Sequence, residues 1–162
     1  MSEAFVLALK SGPNGSKVDI INNMSVSSHG SEFRKLVSVV LKNLENSGVI
    51  FNLVENQRIG DQFLAPFFFK MGEFQCVVFC TTSVRSDRLK SNHWDSWGIG
   101  KVLDTEIKSF VVLPNNLSKR EVEFADKEAM RIKKENYISM IDSIIFLANL
   151  PNFLKNYKNI NK

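Results

Sequence analysis

Apolar and polar positions along the chain alternate with two different periods, and the change of period marks the elements. Phe33, Leu36, Val37, Val40, Leu41 and Leu44 recur three and four residues apart, which is one face of a helix. Ser31 stands before them as an N-cap, and Asn46-Ser47-Gly48 closes the run with glycine at a natural stop. Val49 to Val54 predicts a strand. Gln62 to Phe69 predicts a second, almost continuously apolar, and Pro66 places it near an edge or a bulge because proline has no N–H for a ladder. Lys70-Met71-Gly72 reads as a tight turn into a third strand, Glu73 to Thr81. The centre of that strand, Cys76-Val77-Val78-Phe79-Cys80, is apolar on both faces, which predicts a central position in the sheet. Ser83 caps a second helix running towards Trp97, weakened at Gly98 and Gly100, and Ile107 to Leu113 is a strand stopped by Pro114.

The flanks add further elements. Phe5 to Leu9 and Lys17 to Ile21 read as a hairpin about Ser11-Gly12-Pro13-Asn14-Gly15. Ser118-Lys119-Arg120-Glu121 is a capping box, and a mixed-charge helix follows to about Lys134. Met140, Ile141, Ile144, Ile145 and Ala148 predict a last helix before Asn149 and Pro151, followed by a polar tail that frays. The expected fold is α/β: a mixed central sheet with an αβββαβ core over residues 31–113, an N-terminal hairpin and two C-terminal helices over 118–150. With 162 residues and no internal repeat or dividing linker, this is one domain.

Composition narrows the class. A 44% apolar and 23% charged chain with 13 Phe is globular with a bulky core rather than disordered. No apolar run reaches the roughly 20 residues a membrane helix needs, and Glu3 stands where a signal peptide wants basic residues. A cytoplasmic location is therefore expected. Cys76 and Cys80, four apart on one strand, stand roughly 13 Å apart, too far for a disulfide and consistent with a reducing compartment. The net charge of +4 is compatible with nucleic acid or an acidic protein partner.

The order helix, strand, strand, strand, helix, strand from Ser31 to Leu113, followed in the loop after the third strand by Thr82-Ser83-Val84-Arg85-Ser86-Asp87-Arg88, resembles the PD-(D/E)XK (restriction-endonuclease-like) nucleases. That resemblance implies an acid at the start of the second strand, then an acid and a lysine two apart on the third. The acids hold Mg²⁺, and the metal stabilises charge on the scissile phosphate. Asp61 stands where the first acid belongs, although Gly60-Asp61 is equally a turn. With Lys70-Met71-Gly72 as the loop, cross-strand partners sum to 142, so Asp61 faces Thr81 and Phe63 faces Phe79. The acid and lysine positions are then Phe79 and Thr81, and aligning Thr82-Ser83-Val84-Arg85 with the family gives the same two. Neither residue can do that chemistry. The alternative catalytic and metal set is Asp61 with Glu73 and Gln75, joined by Glu32 of the first helix, and it requires a hairpin turning about Phe67.

Arg85, Arg88, Lys90 and His93 gather at the start of the second helix, where phosphate contacts and a solvated basic face are both open. Trp94 and Trp97, three apart on that helix, fit core packing better than base stacking. Two functions follow. The first is a restriction-endonuclease-like protein acting on duplex DNA, either a Mg²⁺-dependent nuclease or a non-catalytic subunit. The second is a small intracellular immunity or regulatory factor that binds a protein partner without catalysis. Oligomeric state is open in both.

Overall fold

The computed structural model describes residues 26–82, 86–115 and 141–160, with five further helical positions at Arg120, Glu121, Glu123, Phe124 and Lys127. The predicted N-terminal hairpin, the Ser83 cap, Arg85 and the Ser118 capping box lie outside these residues. So does most of the charged helix to Lys134.

The apolar stripe from Phe33 to Leu44 folds as helix α1, Val26–Asn46, and every member of the stripe is buried. The helix begins five residues before the Ser31 cap expected from sequence. Val26, Ser27, Ser28 and His29 differ from alanine by about 0.7 kcal/mol or less in helix propensity and Gly30 by about 1 kcal/mol, so a packed stripe carries the helix outward through them. It ends as expected. Val49 N–H donates to Leu44 O at 2.9 Å and Gly48 N–H to Glu45 O at 3.0 Å, closing the last turn around Gly48.

Among the described residues five strands form one sheet, in the order β1-β2-β3-β4-β5. They are β1 (Phe51–Ile59), β2 (Phe63–Met71), β3 (Phe74–Cys80), β4 (Ile107–Leu113) and β5 (Ser143–Phe146). β1 to β3 are an antiparallel meander, and β3, β4 and β5 run parallel. Helix α2 (Ser86–Leu103) makes the crossover from β3 to β4. A 3₁₀ turn (Leu147–Asn149) leads from β5 into α3 (Leu150–Ile160). β3 is the middle strand, as its two apolar faces require: Cys76 and Val78 face α1 and α3, while Val77 and Phe79 face the α2 layer. The molecule is thus a mixed α/β sheet between helical layers. Among the described residues no helix is long and apolar enough to cross a membrane.

Three expectations are corrected. The β2–β3 turn has two residues, Gly72-Glu73, because Gly72 at φ +61° takes the positive dihedral that a two-residue hairpin needs at its first position. Partners therefore sum to 145, as in Phe67↔Val78 and Met71↔Phe74, and not to 142. Residues 143–146 are a strand, not part of a helix. Ser-Ile-Ile-Phe is β-branched and aromatic, and it pairs in parallel with β4 from Phe110↔Ser143 to Leu113↔Phe146. The tail beyond it is helix α3, in which Leu150, Leu154, Phe153 and Tyr157 join the core under α1. Pro151 fits its first turn, where no intrahelical N–H is needed.

Pro66 does mark an irregularity. Pairing of β2 with β3 ends at Phe67↔Val78, so its missing N–H costs no bond to β3. Phe63 and Ala65 pack on the α2 side, whereas Phe67 and Phe69 pack under α1. Beyond this point β1 and the first half of β2 continue as a two-stranded arm that folds against α2, with Phe63 over Gly98 and Gly60 against Val102.

Candidate nucleic-acid interface

A half-open cleft of about 350 Å³ lies where the carboxyl end of β3 meets the second and third turns of α1 and the first turn of α2. Parallel β3 and β4 send α2 away from this end, and the carboxyl ends of such strands are where α/β sheets hold ligands. Arg34 and Arg88 are among the residues that line the cleft, together with the hydroxyl-bearing Ser31, Thr81 and Thr82. Both arginines are exposed. Arg34 Nη1 donates to Asn56 Oδ1 at 3.4 Å, which steadies it towards β1. Among the described residues no carboxylate lines the cleft. Arginines beside hydroxyl-bearing residues suit a phosphate, since a guanidinium binds its oxygens bidentately.

Cys80 also lines the cleft, but burial pushes its thiol up to about 12, with the Arg34 charge pulling the other way. Burial likewise pushes Cys76 up to about 12. Both are free thiols and neither is a nucleophile at neutral pH.

The carboxylates singled out in sequence do not meet. Asp61 is exposed in the β1–β2 turn and Glu73 is exposed in the β2–β3 turn, at opposite ends of β2. Nine residues of strand separate those ends by roughly 26 Å. Mg²⁺ needs its oxygens at about 2.1 Å, so the two cannot share one ion. The hairpin about Phe67 that would have joined them does not form, because Gly72 supplies the turn. Gln75 sits at the same end as Glu73, opposite Lys70 and beside Ile107. Glu32 is on α1, where its carboxylate pairs with Lys35 at 3.1 Å. Among the described residues no cluster of three or more His, Cys, Asp or Glu is placed to hold a metal.

The facing of Asp61 with Thr81, and of Phe63 with Phe79, is also absent from the ladder, which stops at Phe67↔Val78. Phe79 and Thr81 themselves are buried, at 3% and 5% exposure.

Of the basic cluster, Arg88 and Lys90 are exposed and Arg88 reaches the cleft. His93 is corrected: it is 3% exposed on the inner side of α2, where burial lowers its pKa, and it is not available to a nucleic acid at the surface. Arg34 was not visible as a site residue. It lies on the polar flank of the α1 stripe, and only the placing of α1 over the end of β3 brings it to the same cleft as Arg88. Scans against protein-family models and searches of curated proteins and of solved structures give no match for this chain.

Proposed function

We propose that the protein binds the phosphate backbone of duplex DNA, as a restriction-endonuclease-like domain that does not cut. The observation that carries this reading is that Arg34 and Arg88 line one cleft beyond the central strand, with three hydroxyl-bearing residues and, among the described residues, no carboxylate. The element order α1-β1-β2-β3-α2-β4, which is the order of the resembled family's core, supports it. The separation of Asp61 from Glu73 argues for binding without metal-dependent hydrolysis.

Salt dependence tests it. Each phosphate neutralised contributes about −0.9 to the slope of log affinity against log salt, so removing two cations flattens that slope by about 2. Fluorescence anisotropy of a labelled duplex is measured for the wild type and for Arg34→Glu/Arg88→Glu, with folding checked by circular dichroism. The variant binds every duplex more weakly, whatever the sequence. Identical curves for a folded variant rule the reading out.

A second reading has its own observation. Among the described residues β1 is an edge strand, and Phe51 and Val54 on β1 and Leu64 on β2 are 46%, 41% and 46% exposed. A strand at a sheet edge beside exposed apolar side chains is a surface for a protein partner. Failure to bind any duplex at low salt favours this non-enzymatic interaction role.

A further inference from the structure

The outward face of α2 carries a feature that neither the cleft nor the core accounts for. Trp94 and Trp97 lie against each other with ring centroids 4.9 Å apart and planes tilted by 33°, and Trp94 is 59% exposed. A tryptophan beneath such an exposed ring braces it in place. Lys90 is one turn before Trp94 and Lys101 is one turn after Trp97, so helical spacing puts all four on one stripe. Both lysines are exposed. Among the described residues no carboxylate pairs with either. Asp95 is a quarter-turn away and half-buried, and burial raises its pKa. The buried side of the same helix is occupied by Leu89, His93, Ser96 and Ile99. The Trp pair therefore contributes little to the core, which corrects the expectation of packing.

We propose that this stripe is a stacking platform for single-stranded nucleic acid. A base stacks on the free face of Trp94, and Lys90 and Lys101 take flanking phosphates. The two lysines are separated by roughly 16 Å along the helix axis, room for a few nucleotides between them. An aromatic face between cations is the general means of holding a single strand without reading its sequence, because every base has a π-face. The net charge of +4 favours a polyanion over an acidic-free apolar partner. The inference rests on the nucleic-acid reading above, but on different residues. It assigns a single strand to the α2 face and leaves the duplex backbone to Arg34 and Arg88.

The chain has two tryptophans, both in this stripe, so intrinsic fluorescence reports on it directly. The experiment titrates an oligothymidylate of about fifteen nucleotides into the full chain, reading tryptophan quenching and anisotropy of the labelled strand. A labelled duplex is run in parallel. The wild type quenches on binding. Trp94→Ala loses about tenfold or more in single-strand affinity, Trp94→Phe recovers part of it, and both keep duplex binding. Lys90→Glu/Lys101→Glu weakens single-strand binding and flattens its salt slope. Duplex binding without any quenching by the single strand overturns this inference and leaves the cleft reading standing. No binding of either nucleic acid overturns both. Trp94-dependent self-association in sedimentation, with no effect of the oligonucleotide, makes the stripe a contact between copies and overturns it as well.

Discussion

Replacing Gly98 by alanine sets two opposed effects against each other inside α2. In a free helix the change stabilises by about 1 kcal/mol, because alanine gives up less backbone freedom than glycine. Here a Cβ at position 98 would lie 2.0, 2.3 and 2.5 Å from three atoms of the Phe63 ring. Carbon atoms prefer about 3.5–4.0 Å, so the ring would have to retreat by about 1.5 Å or more. Phe63 is held in the arm between Ile59 and Ala65, where both neighbours are buried, and has little room to move. An approach this close belongs in the upper part of the overpacking range, at about 2–3 kcal/mol. The clash wins, and Gly98→Ala destabilises by about 1–2 kcal/mol. At about 2–4 °C per kcal/mol for a chain this size, the melting temperature falls by about 2–8 °C. The control is the same substitution in a Phe63→Ala background. With the ring gone the propensity gain survives, Gly98→Ala becomes stabilising, and the cycle shows a coupling of about 2 kcal/mol or more. Thermal melts and urea midpoints of the four proteins decide it. A rise in melting temperature for Gly98→Ala alone, or the same shift in both backgrounds, refutes the close packing of Phe63 on this helix.

Three shorter predictions stand beside it. Supercoiled plasmid incubated with the protein and Mg²⁺ or Mn²⁺ stays as intact as in EDTA, since Asp61 and Glu73 sit at opposite ends of β2; cutting abolished by either alanine substitution overturns that. Stability falls as pH drops below about 6.5: burial depresses the folded pKa of His93, so the unfolded chain binds the proton first, and the slope is at most about 1.4 kcal/mol per pH unit. Melts at pH 7.5 and 5.5 check this, and a His93→Gln variant with an equally steep loss removes His93 as the cause. Cys76 and Cys80, both pushed up to about 12 by burial, label slowly with iodoacetamide at pH 8 and rapidly in urea; fast native labelling followed by mass spectrometry contradicts their placement.

The sequence by itself determined those elements whose period is set by burial alone. The α1 stripe from Phe33 to Leu44, β4 from Ile107 to Leu113, and the central place of β3 all follow from which positions must leave water. Periodicity failed where two structures bury the same residues. Ile141, Ile144, Ile145 and Ala148 fit a helical stripe, but the exposed ladder of β4 takes residues 143–146 as a parallel neighbour, and only the assembled sheet offers that edge. The register of β2 on β3 turned on one loop residue. Moving the turn from Lys70-Met71-Gly72 to Gly72-Glu73 shifts every partner by three, because cross-strand pairing inherits the loop's length. Gly98 looked like a weakness in α2 until Phe63, far away in sequence, came to rest on it. The candidate site was the least legible part. Arg34 and Arg88 belong to helices separated by three strands of chain, and a charged residue carries no periodic mark of what it faces. That both line the cleft at the end of β3 is decided by how α1 and α2 pack on the sheet.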